Sequence, residues 1–378
     1  MKEGGNLQYC NRCVMPTSRP GLTLDSEGVC SACRHTEHKK TVDWKAREKE
    51  FIKLCDTHKS HSDENDCLVA VSAGKDSFWQ VMTLKKYGMN PLLVSVDNLD
   101  WTQTGLQNFE TMQSRFGVEA LVLKSNKEIN KKISRAIFEH DGFLAYLFDR
   151  YIYTYPIHMA IELNIPLIFY GENTSLEYGG PLKEETPSAL NQINNDAVRE
   201  YDWSIFEKAG VKKSDIPLSN FPNEELIHES QVDPQYLSYY FNWSGYEHMK
   251  ASKMHGWKSL NDTGEWQRKG WANDDYTQID DFAYLVDPWM KWPKYGHRQV
   301  TDLCSKLIRE GRMTREDAIK LVREYDPMLD PTSLEHYLRF SGYSERQFFD
   351  IIDKFYNRSL FVRRDNKWIL KNPIWKTE

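Results

Sequence analysis

Residues 67–86, CLVAVSAGKDSFWQVMTLKK, constrain this chain more than any other stretch. An apolar run over 68–71 is cut by Ser72-Ala73-Gly74-Lys75-Asp76-Ser77, and a helical pattern follows from Phe78. Strand, tight polar turn and helix N-terminus together present backbone N–H groups and a positive dipole end, which is a seat for an anion. Small residues let the backbone approach phosphate oxygens, and the Ser72 and Ser77 hydroxyls add donors. Lys75 supplies charge, and Asp76 is placed to hold the magnesium that accompanies a nucleotide. The turn is not a Walker loop, because GxxxxGK[ST] is absent, and no GxGxxG follows the strand. Ala73 is tolerable in such a loop only with a negative φ.

The pattern around this turn predicts strands at 68–71, 91–96, 120–123 and 166–170. Helices are expected at 78–87, 104–116, 127–139 and 143–164, with Gly88 and Gly117 as stops. Short apolar strands alternating with helices mean an α/β fold, a doubly wound parallel sheet covered on both faces. Ligands in such sheets bind beyond the carboxyl ends of the strands. The 72–77 loop, Asp97-Asn98 and Gly171-Glu172-Asn173 all fall there. Glu172 and Glu177, in a glycine-rich turn after the fourth strand, suit magnesium on pyrophosphate.

Before the sheet, Cys10-Asn-Arg-Cys13 and Cys30-Ser-Ala-Cys33 form two CxxC hooks with sixteen residues between them. That spacing suits a tetrahedral four-cysteine zinc knuckle, structural because four thiolates leave no open position. Seven cysteines, four of them clustered, fit a reducing cytoplasm better than a disulfide framework. A net charge of −6 argues against a nucleic-acid footprint, and no run of 18 apolar residues calls for a membrane. The expected domains are a zinc module at 1–40 and a nucleotide-type domain at 41–245, the latter with a polar insertion near 181–235. An aromatic-rich, mostly helical region follows at 246–378. Within the insertion a short helix is expected at 195–208. Residues 236–295 hold half of the 12 Trp, material for a sugar or nucleotide pocket as well as for core packing.

The SAGKDS loop resembles the SGGxDS pyrophosphate-binding loop of the ATP pyrophosphatases, a HUP-like fold, with Ala73 in place of a glycine. Tyr170-Gly-Glu-Asn-Thr-Ser-Leu-Glu-Tyr-Gly-Gly180, taken with that loop, the four-cysteine motif and Lys294-Tyr-Gly-His-Arg298, is similar to the N-acetyl sugar amidotransferases of bacterial surface-polysaccharide, O-antigen and pseudaminic-acid synthesis. The resemblance implies that ATP is split to AMP and pyrophosphate while an acetamido oxygen is adenylated, and that ammonia then displaces AMP to leave an acetamidino group. It implies ATP, Mg2+ and structural Zn2+ as cofactors and an N-acetylated acidic sugar or sugar nucleotide as acceptor. On that reading Ser72, Ala73, Gly74, Lys75, Asp76 and Ser77 hold phosphates, with Gly171 and Glu172 beside them. Asp97 and Asn98 meet the adenosine. Asp76 and Glu177 hold magnesium, and Lys294 and Arg298, with His297 between them and Lys291 behind, put a cation over the α-phosphate.

No catalytic cysteine of a glutaminase is present, since Cys10 belongs to the zinc hooks. Ammonia is therefore expected free or from a separate glutaminase subunit like that of imidazole glycerol phosphate synthase, with or without a cyclase-like channel subunit. The rival readings are a carboxylate-to-amide synthetase, a tRNA-sulfurating ATP pyrophosphatase and a non-enzymatic nucleotide sensor.

Overall fold

The computed structural model describes residues 7–60, 64–179, 185–190, 200–270 and 274–376. Five strands, β1 (Cys67–Ala70), β2 (Pro91–Val96), β3 (Ala120–Leu123), β4 (Leu167–Tyr170) and β5 (Asp233–Tyr236), form one parallel sheet in the order β3-β2-β1-β4-β5. Leu68 of β1 sits opposite Leu92 on one side and Ile168 on the other. Cys67, Val69, Leu93 and Phe169 enter the core of one face, and Leu68, Leu92, Val94 and Ile168 that of the other. Apolar residues therefore run without alternation along the central strands, as burial on both faces requires.

The first face is covered by helices Trp44–His58, Lys75–Lys86, Gln103–Phe116 and Gly245–Met254; the second, by Tyr146–Leu163. Phe51 anchors the first, with the rings of Tyr87, Phe169, Tyr240 and Phe241 at 5.0–5.7 Å. Gly117 ends its helix at φ 61, in the left-handed region that a side chain disfavours.

Four expectations need correction. The helix after the loop begins at Lys75 rather than Phe78, with Gly74 as its cap. Lys75, Asp76 and Ser77 form its first turn, where an acidic side chain suits the dipole. β5 was not expected in the polar insertion, because DPQY carries no apolar run. It is an edge strand, where Pro234 is tolerated. The helix expected at 195–208 appears at Ser204–Lys208, and 195–199 lie outside the described residues. The boundary at 245/246 falls inside helix Gly245–Met254. Trp257, Leu260, Trp266, Ile279 and Leu285 join the same core as β1 and β4, so the sheet domain reaches at least residue 285.

Helices Gln299–Arg309, Arg315–Tyr325, Pro331–Ser341 and Glu345–Phe355 follow, closed by an antiparallel hairpin of β6 (Phe361–Arg364) and β7 (Lys367–Leu370). Asp365 and Asn366 turn it with φ of 48 and 60, the conformation of a two-residue hairpin loop. The amino-terminal module docks on this region. Val14 packs with Val300, Cys304 and Ala318, and Arg315 Nε donates to the Cys13 carbonyl at 3.2 Å. No helix among the described residues is long and apolar enough to cross a membrane.

Replacing Phe51 with Ala removes the ring on which four others pack, and is expected to cost about 3–5 kcal/mol. Chemical denaturation of both proteins measures this; a loss below about 1 kcal/mol would show that the site collapses to fill the cavity.

Candidate active site

The loops after β1 and β4 leave in opposite directions along the sheet, which opens a crevice between neighbouring strands. The β1 loop closes on itself. Ser72 N donates to Ser77 Oγ at 2.8 Å, and Gly74 N donates to Ser72 Oγ at 3.1 Å. Ala73 is fully buried and is absent from the residues with positive φ, so its methyl fits where a second glycine was the family pattern. Its carbonyl accepts from Trp257 Nε1 at 3.0 Å, and its N–H donates to Asp280 Oδ2 at 3.3 Å.

Next to this loop lies a cavity of about 220 Å³ lined by Ser72, Gly74, Lys75, Asp76, Glu172, Trp243, Gln278, Asp280, Asp302 and Lys306, among others. A second cavity of about 340 Å³ shares Ser72, Asp76, Glu172 and Gln278 with it. This one runs between the ends of β1, β2 and β4 and the Tyr146–Leu163 helix, with Val94, Val96, Ile152, Tyr153 and Tyr155 as its walls. A larger groove of about 950 Å³ lies between helix Glu345–Phe355 and the terminal hairpin. It holds none of the residues at the strand ends, so its size does not make it the active site.

The charges in the central cavity are tightly coupled. Lys75 Nζ meets Asp76 Oδ2 at 2.8 Å, and His248 Nδ1 lies 2.7 Å from Asp76 Oδ1. Burial works against the Asp76 charge, but Lys75 and the His248 hydrogen bond outweigh it and hold the carboxyl well below its usual range. Burial likewise disfavours the Lys75 ammonium, and Asp76 more than restores it. His248 is 2% exposed and stacks on Trp79 at 4.1 Å; desolvation lowers its pKa. Glu172 is pushed up, first by burial and then by the Asp76 charge. A cation between these two carboxylates would relieve that repulsion.

The structure brings Ser72, Gly74, Lys75, Asp76 and Glu172 to one cavity, with Ser77 and Gly171 on the adjoining one. Other expected residues stand elsewhere. Glu177 pairs with Lys39 and lines a neighbouring chamber. Asp97 accepts from Trp101 Nε1 at 2.7 Å, and Asn98 Nδ2 donates to the Asp280 carbonyl at 2.9 Å, so both shape the β2 loop. Lys294 and Arg298 line neither cavity. Lys294 lies over the Phe355 ring, and Arg298 is buried and donates to the Met328 carbonyl at 2.7 Å. Lys291 acts one step back, 3.0 Å from Asp302, which also binds Arg19.

Lys306 is the cation that helix Gln299–Arg309 does deliver to the cavity. Its charge is favoured, against burial, by Tyr178, Glu172 and Glu177. Reading the helix for its apolar face alone hid it; Gln299, Asp302 and Lys306 recur every three or four residues on the cavity side. His248 and Asp280 carry no local signature.

All four cysteines of the two hooks are buried, with their sulfurs within 4.8 Å of one another. Cys10–Cys33 and Cys13–Cys30 sulfurs lie 3.9 and 3.7 Å apart. Sulfurs about 2.3 Å from a tetrahedral zinc lie about 3.8 Å apart, so the cluster fits that ion. About one zinc per chain is expected by elemental analysis, and Cys30→Ser should lose it and unfold at lower temperature. A metal-free protein of unchanged thermal stability would remove the structural role.

His297 is buried with both ring nitrogens unpartnered among the described residues. Burial lowers its pKa from 6.5 to about 3, against the pull of Asp302, while Arg19 and Lys291 push the same way. Below pH 6.5 the unfolded chain takes a proton that the folded one refuses. His297 therefore contributes a loss of stability on acidification, at most about 1.4 kcal/mol per pH unit between the two values, while the raised carboxyls of Asp281 and Asp326, at about 7 and about 6, act the other way over that range. Denaturation of the native chain and His297→Gln at pH 7 and pH 5 isolates the histidine: the native chain should lose more stability, or gain less, than the variant.

Residues 274–374 match the family model described as "LPS biosynthesis protein WbpG-like, C-terminal domain". An uncharacterized protein of Methanocaldococcus jannaschii is 29% identical over 117 residues, 30% of this chain and 42% of that relative, so the match spans less than half of its length. A solved structure described as a predicted subunit of tRNA methyltransferase from the same species aligns at 16% identity and a TM-score of 0.28, over 50% of this chain and 74% of that one. The segment from residue 274 to residue 374, which carries Asp280, Asp302 and Lys306 to the loop, is thus similar to the WbpG-like family of LPS biosynthesis.

Proposed function

We propose that this chain is an ATP-dependent, AMP-forming amidotransferase of LPS or related sugar synthesis. Its acceptor is an N-acetylated acidic sugar or sugar nucleotide, whose acetamido group becomes acetamidino. The observation that carries the reading is the closed 72–77 turn at the sheet's crevice, with Lys75 and Lys306 beside it, built partly by the WbpG-like segment.

An amide does not react with ammonia unaided, because its oxygen is a poor leaving group. Moving AMP onto that oxygen makes it a good one, and ammonia then expels AMP. The N–H groups of the first helical turn after Gly74, the Ser72 hydroxyl and Lys75 bind the departing pyrophosphate, while the apolar cavity beside β2 excludes water from the nucleoside. Lys306, which lines the cavity beside the loop, is the cation assigned here to the charge that grows on the α-phosphate, in the role expected of Lys294 and Arg298. Magnesium, when bound, would neutralise phosphate charge; Asp76 and Glu172 are the side chains suited to it, in place of the Asp76–Glu177 pair. Ammonia comes free or from a separate glutaminase subunit.

Sulfur transfer to tRNA is the weaker reading. All seven cysteines are buried, none lines the cavities, and burial pushes the Cys55 and Cys304 thiols up to about 12. A thiol must ionise to carry sulfur.

Pyrophosphate release with ATP and ammonium, across a panel of N-acetylated acidic sugars, tests the proposal. Ammonium should support release and glutamine should not. Asp76→Asn is expected to abolish turnover. Lys306→Met should lower kcat by about 10²–10³-fold with ATP affinity nearly kept. Carbon NMR of the product distinguishes an amidine from an amide made at a carboxylate, and an amide product would overturn the acetamido reading.

A further inference from the structure

Beside the central cavity lies a chamber of about 380 Å³ with no assigned ligand. The two share Trp243, Gly245, Lys306 and Glu310, so they are adjoining parts of one space. The outer wall comes from the cysteine module: Thr36, Lys39 and Lys40 lie on or next to helix Ser31–Lys39, which starts at the second hook. Opposite stand Lys306, Arg309 and Arg312, at and just beyond the end of helix Gln299–Arg309.

Five cations therefore face three carboxylates, Glu177, Glu247 and Glu310. Glu177 is taken by Lys39, and Glu247 and Glu310 both bind Arg312. Lys40 pairs with Glu37 outside the chamber, and Lys306 Nζ donates to the neutral Tyr178 hydroxyl at 2.9 Å. Arg309 spends Nη2 on the Glu177 carbonyl at 3.1 Å, while its Nη1 is buried with no hydrogen-bond partner among the described residues. A buried guanidinium N–H without an acceptor is costly unless something fills the place. Arg is also the side chain best shaped to grip a carboxylate or phosphate.

We propose that this chamber seats the anionic group of the acceptor, with Arg309 as its principal contact and the cysteine module as one wall of the site. The inference rests on the function proposed above. A sugar lying along Trp243 then spans the two spaces, its anion among the cations and its acetamido group beside the phosphate loop. The shared chemistry is an anion on a sugar; its source is a uronate carboxylate or the diphosphate of a sugar nucleotide.

The test titrates the full chain, its phosphate loop saturated with a non-hydrolysable ATP analogue and magnesium. The probes are N-acetylglucosamine, its uronic acid, UDP-N-acetylglucosamine and UDP-N-acetylglucosaminuronic acid. At least one anionic probe should bind more tightly than the neutral sugar, and Arg309→Gln should weaken it about tenfold to a hundredfold. Arg309→Lys should recover part of that, and the affinity for the ATP analogue should not change. The probe that responds identifies the anion, since the uronic acid carries only the carboxylate and UDP-N-acetylglucosamine only the diphosphate. Equal binding of neutral and anionic probes, or an Arg309→Gln loss shared by the ATP analogue, would overturn the chamber. Because the readout is binding, it stands even where no pyrophosphate is released: that result would sink the proposed reaction and leave the anion site to the titration.

Discussion

A turn made of polar groups can stand at the end of a buried strand only if its dipoles and charges are matched, because an unpaired polar atom there costs more than a hydrogen bond returns. The 72–77 turn meets this demand in two ways. Its serine hydroxyls bond its own backbone, and distant residues take several of the others: Asp280 the Ala73 N–H, Trp257 the Ala73 carbonyl, Ser252 the Lys75 carbonyl and His248 the Asp76 carboxylate. Much of the remaining architecture follows from supplying these partners. Helix Gly245–Met254 lies against helix Lys75–Lys86, and the stretch that follows wraps back so that Asp280 reaches Ala73 and Asn98.

The tryptophans of residues 236–295 show the same logic. Trp257 and Trp266 are buried in the core under the sheet, and Trp289 and Trp292 in that of the carboxyl-terminal helices, so none of the four lines the central cavity. Trp243 is both, a core member whose ring also lines the cavity. Gly171 is held against it, since a Cβ there would come within 3.0 Å of that ring. Core packing and the cavity wall thus use one ring, which ties the width of the crevice to the packing of the core.

Legibility in the sequence followed the range of the forces involved. The first four strands, their helices and the cysteine hooks were readable because apolar runs and ligand spacing are local. Helix Lys75–Lys86 starts three residues before its apolar pattern does, because Lys75-Asp76-Ser77 has the composition of a loop, yet a first turn welcomes such residues. β5 leaves no local signal, because DPQY becomes a strand only through pairing with β4 at the sheet edge. Lys294 and Arg298 look catalytic by charge and resemblance, but that Lys294 lies over the Phe355 ring and Arg298 is buried against the carboxyl-terminal helices is invisible from composition. Lys306, a few residues on, reaches the cavity because its helix turns that face inward.

By itself, then, the sequence determined the parallel sheet, the polar turn at the end of its first strand and the four-cysteine cluster, since each depends on neighbours within a few residues or on a fixed spacing. Tertiary structure decided which distant groups meet that turn. His248, Asp280 and Lys306 arrive from 172, 204 and 230 residues beyond Asp76, and only the packing of the aromatic segment and carboxyl-terminal helices sets their distance from it. It also decided that the cysteine module stands beside the crevice, because Val14 finds its apolar partners on the carboxyl-terminal helices.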